Sequence, residues 1–151
     1  MGAVSPKAKK RLRRLAEVIK KNHKHFDMQS WCGSKGCIAG FAIVEFDKKV
    51  FPSYAKGLKD INECSNDEHS REEAISVISA AAKRFGFDLA GFGYVTWATK
   101  LLDIGKEQRG RLFLESDWPH EFERRYDDAL TSKDRAKAAA DRLLHMAKTG
   151  E

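Results

Sequence analysis

Apolar positions near the start of the chain recur with the period of an α-helix. Ser5-Pro6 is typical of a helix start, because serine caps a first turn and proline fits its first position. Asn22 to His25 ends the pattern, which predicts an amphipathic helix over about residues 5–22. Its apolar side is a narrow stripe of about a quarter turn, made of Ala8, Leu12, Leu15, Ala16 and Ile19.

The segment from Cys37 to Phe46 is apolar on every side and carries one charge, Glu45. This pattern predicts a buried central helix near 37–46. Its small residues, Ala39 and Gly40 among them, would let a neighbouring helix approach closely. A buried strand is the competing interpretation, because periodicity alone does not separate the two. The length and alanine content of the segment favour the helix.

Helical periodicity returns after a less regular stretch at 47–66, which is predicted to be mainly loop. A packed turn is expected over 87–96, where glycines alternate with aromatic residues. Thr131 and Asp134 resemble a capping box in which Asp replaces the usual Glu or Gln. The remaining helices are predicted over about 68–85, 95–103, 106–115, 119–129 and 132–148.

The whole pattern predicts an all-α, single-domain compact bundle of about six to seven helices. The 151 residues suit one domain that buries roughly 70% of its unfolded surface, with a core over about 26–148. Three cysteines indicate no paired disulfide framework. No signal-peptide pattern and no apolar run of about 20 residues is present. We therefore expect a cytoplasmic protein without a membrane partner; the pattern carries no information on oligomeric state.

Positive charge is concentrated at the start of the chain. The net charge is +6, and residues 1–25 hold nine Lys or Arg against one acid, Glu17. That segment is therefore +8, and the rest of the chain is mildly acidic. The cations cover about 200° of the helical wheel. The candidate partner-binding residues on the first helix are Lys7, Lys10, Arg11, Arg13, Arg14, Lys20, Lys21 and Lys24.

Two interpretations of this basic side stay open. It binds an acidic partner, either nucleic acid or an acidic protein surface, or it is a solvated face that keeps the protein soluble. Adsorption to a membrane is disfavoured, because the apolar side lacks an exposed Trp or Phe. We find no helix-turn-helix, zinc-finger or basic-zipper pattern for reading DNA sequence. No pair of acids is placed for acid–base catalysis, which favours a non-enzymatic binding or accessory protein.

Cysteine and histidine offer a second candidate site. His23, His25, Cys32 and Cys37 supply the four ligands that zinc needs, although with unusual spacing. Cys37 at a helix start could alternatively be a reactive thiol with a histidine as base. The third interpretation is that Cys37 is a small packing residue with no chemical role. No cofactor is expected under the third interpretation, and zinc is the alternative.

A family resemblance becomes visible in several motifs. Phe26-Asp27-Met28-x-x-Trp31, Cys32-Gly33-x-x-x-Cys37-Ile38-Ala39-Gly40-x-Ala42 and Trp118-Pro119-x-x-Phe122-x-x-x-Tyr126 stand in this order along the chain. Together with Leu112-Phe113 and the alanines after Arg135, they resemble a signature of uncharacterised small proteins of bacteria and their phages. The resemblance implies no catalytic residue. The family's distribution fits an accessory role in phage–host interaction.

Overall fold

The computed structural model describes residues 3–28, 37–53, 83–85 and 93–151. The fold is all-α, which confirms the predicted class. Two short 3₁₀ turns, His23–His25 and Glu115–Asp117, connect helices. The α-helices whose bounds fall within these ranges are α1 (Pro6–Lys21), α2 (Ile38–Phe46), α3 (Gly93–Leu102), α4 (Lys106–Leu112), α5 (His120–Asp127) and α6 (Ser132–Thr149).

Helix α1 begins as its sequence predicts. Pro6 occupies the first turn, and the Ser5 hydroxyl accepts a hydrogen bond from the Ala8 backbone N–H at 3.0 Å. All five residues of the predicted apolar stripe are buried, and Val18 is buried with them. The C-terminal basic residues Lys20 and Lys21 complement the helix dipole. Local sequence therefore defines this helix at both ends and along its inner face.

Helix α1 packs most extensively on α6, and the two run antiparallel. His23, just after α1, places its Nδ1 3.0 Å from the hydroxyl of Ser132, the first residue of α6. Alanines at positions 136, 139, 140 and 147 of α6 are buried, so the inner surface of α6 is formed largely by small side chains. Small side chains allow a close helix–helix contact. The Thr131 hydroxyl caps α6 by accepting from the Asp134 N–H at 3.1 Å, as the sequence predicts.

Helix α2 is buried at every position from Ile38 to Val44, and it packs mainly on α3. Asp47 follows it and is itself buried, with 4% of its surface exposed. Its carboxylate accepts a hydrogen bond from the Trp97 indole N–H at 2.9 Å and pairs with the guanidinium of Arg84. Phe51 stacks on Trp97 with ring centroids 5.8 Å apart. A buried carboxylate therefore joins α2 to α3.

The junction between α3 and α4 differs from its prediction. The sequence predicts a helix over about 95–103, whereas α3 begins at Gly93 and ends at Leu102. Asp103, the next residue, has a left-handed φ of 58°. Aspartate tolerates this region better than most residues. The Asp103 carboxylate accepts a 2.7 Å hydrogen bond from the Ser5 hydroxyl. Residues 93 and 94, predicted to be part of a turn, are helical.

The extents of three other predicted segments differ from the structure or lie partly outside the described residues. The helix predicted over 106–115 is shorter, because α4 ends at Leu112, whose carbonyl accepts a 2.8 Å hydrogen bond from the Trp118 indole. The helix predicted over 68–85 lies outside the described residues except at 83–85, which are helical. The predicted loop over 47–66 is described only as far as residue 53. Within the described ranges, none of the helices is both long and apolar enough to span a bilayer.

Candidate functional site

Six of the eight candidate partner-binding cations project into solvent from α1 and the turn after it. Each is exposed, and none of the six side chains forms an ion pair or hydrogen bond with another residue that the structure describes. We call this set the basic strip; it consists of Lys7, Lys10, Arg13, Lys20, Lys21 and Lys24.

The side chains of the other two candidates, Arg11 and Arg14, contact neighbouring helices of the protein. The Arg14 Nε donates to Glu45 Oε1 of α2 at 3.0 Å, and Arg14 lies 3.8 Å from Glu17. The Arg11 guanidinium donates to the Leu101 carbonyl of α3 and lies over the Phe46 ring, 5.3 Å from its centroid. These two arginines fix α1 against α2 and α3. The sequence could not distinguish them from the strip, because all eight are equally basic.

The basic strip is long and narrow. A 16-residue helix is about 24 Å long at 1.5 Å per residue. With 100° per residue, the strip covers about 140° of the wheel, opposite the buried stripe. Glu17 lies within this arc and is exposed. The strip therefore presents cations along the whole length of α1, with one acidic side chain near the middle.

Like charges within the strip repel one another. On α1, Lys7 and Lys10 are three residues apart, as are Lys10 and Arg13. Each such pair destabilises a helix by about 0.2–0.5 kcal/mol at low salt. Lys7 also lies in the first turn, where positive charge opposes the helix dipole. An anionic partner would relieve both penalties.

A shallow cleft of about 340 Å³ lies beside the strip, between α1 and the end of α2. Its charged lining combines Arg14, Lys21 and Lys48 with Glu17 and Glu45. Arg14 and Glu45 neutralise each other, and the remaining charged side chains are two cations and one anion, so the net charge of the cleft is small. It therefore adds little to the positive potential of the strip and is not a dedicated anion pocket.

The four cysteine and histidine candidates are only partly described. Cys32 lies outside the described residues. His23 is engaged by Ser132, and His25 is exposed. Within the described parts of the chain, no group of three or more potential metal-ligating side chains comes together. The zinc alternative stays a prediction, since one of its four residues is not described.

Cys37 is half-buried and occupies the N-cap position of α2. Burial raises the pKa of its thiol, and the nearby Asp27 carboxylate acts in the same direction. Backbone N–H groups of Ala39 and Gly40 oppose the increase without overcoming it. Because the thiolate is the nucleophilic form, this environment disfavours the reactive-thiol interpretation at neutral pH. Cys37 also lines a cavity of about 320 Å³ beside Met28 and Phe113.

The structure brings together two motifs that are distant in sequence. The Tyr126 hydroxyl of α5 accepts a hydrogen bond from the Met28 backbone N–H at 2.8 Å and donates to Asp27 Oδ1 at 3.3 Å. The Tyr126 ring packs edge-on against Phe26 and Trp118, with centroids 6.4 and 5.6 Å apart. Burial is the main reason that the pKa of Tyr126 is raised above its ordinary value.

These residues stand in separate motifs of the sequence, which did not predict that they meet. Nothing in local periodicity predicts that Tyr126 meets Phe26-Asp27-Met28, about one hundred positions earlier. The contact closes the loop after α1 onto α5. All of these contacts are packing and hydrogen bonding within the protein, so these residues have a structural role.

Arg142 on α6 is a second residue that sequence reasoning missed. It is fully buried, and its Nη2 donates to the backbone carbonyls of Arg111 and Glu151. Among the residues that the structure describes, its Nε and Nη1 have no hydrogen-bond partner, and its guanidinium lies 6.0 Å from the Phe122 ring centroid. Burial, helped by the charge of Arg111, lowers the pKa of Arg142 to about 10. A cation buried without a carboxylate is costly.

Comparisons with protein-family models, with curated proteins and with solved structures found no match for this chain. The resemblance to small bacterial and phage proteins therefore stays a prediction, and no function is transferred from it.

Proposed function

We propose that this protein is a non-enzymatic binding module that engages an acidic macromolecular surface, nucleic acid or protein, through the basic strip. The observation that supports this most is the exposure of the six strip cations and their lack of ionic partners among the described residues. They are exposed, aligned along one helix, and unpaired with respect to the described residues. In contrast, Arg11 and Arg14 on the same helix are engaged by α2 and α3.

The arrangement of these cations favours binding over simple solubilisation. Solubility needs net charge but no particular placement. Here the charge is gathered on a helix whose inner side is firmly docked, so the cations are held in fixed relative positions. A preorganised row loses less conformational entropy on binding than a flexible tail does. Each contact with a polyanion also releases counterions, which makes the affinity strongly dependent on salt.

Salt-gradient elution from immobilised heparin tests the proposal. The strip variant carries Lys10→Gln, Arg13→Gln and Lys21→Gln, which removes three strip charges and leaves Arg11 and Arg14 in place. We expect it to elute at clearly lower salt than the wild type, because the number of released counterions falls. Circular dichroism should show unchanged helicity, since all three positions are exposed.

A matched control removes the same amount of charge elsewhere. Lys100→Gln, Lys106→Gln and Arg124→Gln change exposed cations on α3, α4 and α5. If binding depends on the strip, this control should elute close to the wild type. Equal elution of the two triple variants would show that total charge alone governs retention, and the proposed site would then be wrong.

A further inference from the structure

We infer that the basic strip continues onto α6 and that the resulting two-helix face docks the phosphate backbone of double-stranded nucleic acid. This inference rests on the proposed function and names its partner. Helix α6 adds three exposed lysines, Lys133, Lys137 and Lys148.

The position of these lysines follows from the packing of α6. Its surface towards α1 includes Ala136, Ala140 and Ala147, which are buried. On a wheel of 100° per residue, Lys133 lies next to Ala140, and Lys137 and Lys148 follow within about a further 60°. Contacts with α5 occupy the far side of α6. Two of these contacts are the Arg125–Asp141 ion pair at 2.7 Å and the Phe122–His145 ring contact. The lysines therefore face solvent between α1 and α5.

The strip on α1 borders this same surface. Helices α2 and α3 hold the edge of α1 that carries Arg11 and Arg14. The exposed side of α6 must therefore adjoin the opposite edge, where Ala16 is followed around the wheel by Lys20 and Arg13. Packed helices lie about 8–10 Å apart. The two helices pack side by side, so their exposed faces present two neighbouring rows of cations.

Two such rows fit a duplex. The phosphates of the two strands face each other across grooves about 6 and 12 Å wide, and each row can follow one strand. Five of the six strip residues are lysines, and all three additions on α6 are too. Lysine acts as a point charge without the planar fork that reads base edges. The surface therefore suits sequence-independent phosphate contact.

The chemistry of this face argues against the other partners. Protein interfaces depend on buried aromatic and apolar anchors, and single strands need aromatic side chains for base stacking. Among the described residues, the exposed large hydrophobic side chains are Leu114, Leu130 and Leu144. Of these, only Leu144 belongs to α6, and it is 37% exposed. The face has cations and no stacking platform.

Fluorescence anisotropy across a salt series tests this partner directly. The probes are a labelled 24-base-pair DNA duplex of mixed sequence, one of its single strands, and labelled polyglutamate of similar total charge. We expect the duplex to bind most tightly. Six to nine phosphate contacts predict a slope of about −5 to −8 for log affinity against log salt.

Substitutions on α6 separate this inference from the proposed function. Lys133→Gln, Lys137→Gln and Lys148→Gln in one variant should make the slope about 3 less steep and weaken duplex binding at least tenfold at 50–100 mM salt. The α3–α5 control triple should leave the slope within about one. Retained secondary structure is checked by circular dichroism.

The outcomes are distinguishable. Wild-type duplex binding by the α6 variant would overturn the two-helix surface. Equal or tighter binding of the single strand or of polyglutamate would overturn the choice of a duplex. Both results leave the proposed function standing if the strip variant loses affinity. Failure of the wild type to bind any of the three probes at 50 mM salt would refute the proposed function itself.

Discussion

Replacing Tyr126 by phenylalanine isolates the contact that joins the loop after α1 to α5. The ring contacts with Phe26 and Trp118 are retained, and only the hydroxyl is removed. The Met28 N–H, 2.8 Å from that hydroxyl, then loses its acceptor in a buried setting, and Asp27 loses a donor. A buried donor left without a partner costs about 1–3 kcal/mol. We expect the free energy of unfolding to fall by about 2 kcal/mol.

Urea unfolding followed by circular dichroism measures this loss. In a chain of this size, about 2 kcal/mol corresponds to a fall in Tm of about 4–8 °C. Ser116→Ala is the control, because it removes a hydroxyl from an exposed position and should change stability by less than about 0.5 kcal/mol. A Tyr126→Phe variant as stable as the control would show that water replaces the hydroxyl, and our description of the junction would be wrong.

The dependence on pH gives an independent readout. The pKa of Tyr126 is raised in the folded protein, mainly by burial. Its hydroxyl therefore contributes fully below the pKa of an unfolded tyrosine, about 10. Above that pH the unfolded state gains stability by ionising, and the contribution is progressively lost. The stability difference between wild type and Tyr126→Phe should thus be constant from pH 6 to 9 and shrink above pH 10. A difference that grows above pH 10 would contradict the assigned direction.

Two further predictions concern buried charges. Asp47→Asn keeps an acceptor for the Trp97 indole but removes the ion pair with Arg84. Since Arg84 is partly exposed, the free energy of unfolding measured in urea should fall by about 1–3 kcal/mol. An unchanged urea midpoint would contradict the role of the pair. Arg142→Met should remain within about 1 kcal/mol of the wild type, because it removes a buried guanidinium two of whose nitrogens have no hydrogen-bond partner among the described residues. Arg142→Ala should lose at least 2 kcal/mol more than Arg142→Met through the cavity it leaves; equal Tm values for these two variants would contradict this reasoning.

Local features of the chain were sufficient to predict α1. A cap, a proline and an apolar stripe with a 3.6-residue period lie within about 20 consecutive positions, and the observed Pro6–Lys21 follows from them. The same holds for the start of α6, where Thr131 provides the cap. The all-α class could be predicted as well, since it depends only on the hydrophobic pattern and composition.

Contacts between distant segments decided the rest. Asp103 has a left-handed φ at the end of α3, and its carboxylate accepts a hydrogen bond from Ser5 at the start of the chain. The side chains of Arg11 and Arg14 contact α3 and α2, whereas the six strip cations form no ion pair or hydrogen bond with another described residue. Whether a cation faces solvent or a carbonyl depends on which helix packs beside it. Helical periodicity describes one helix at a time and contains no information about its neighbours.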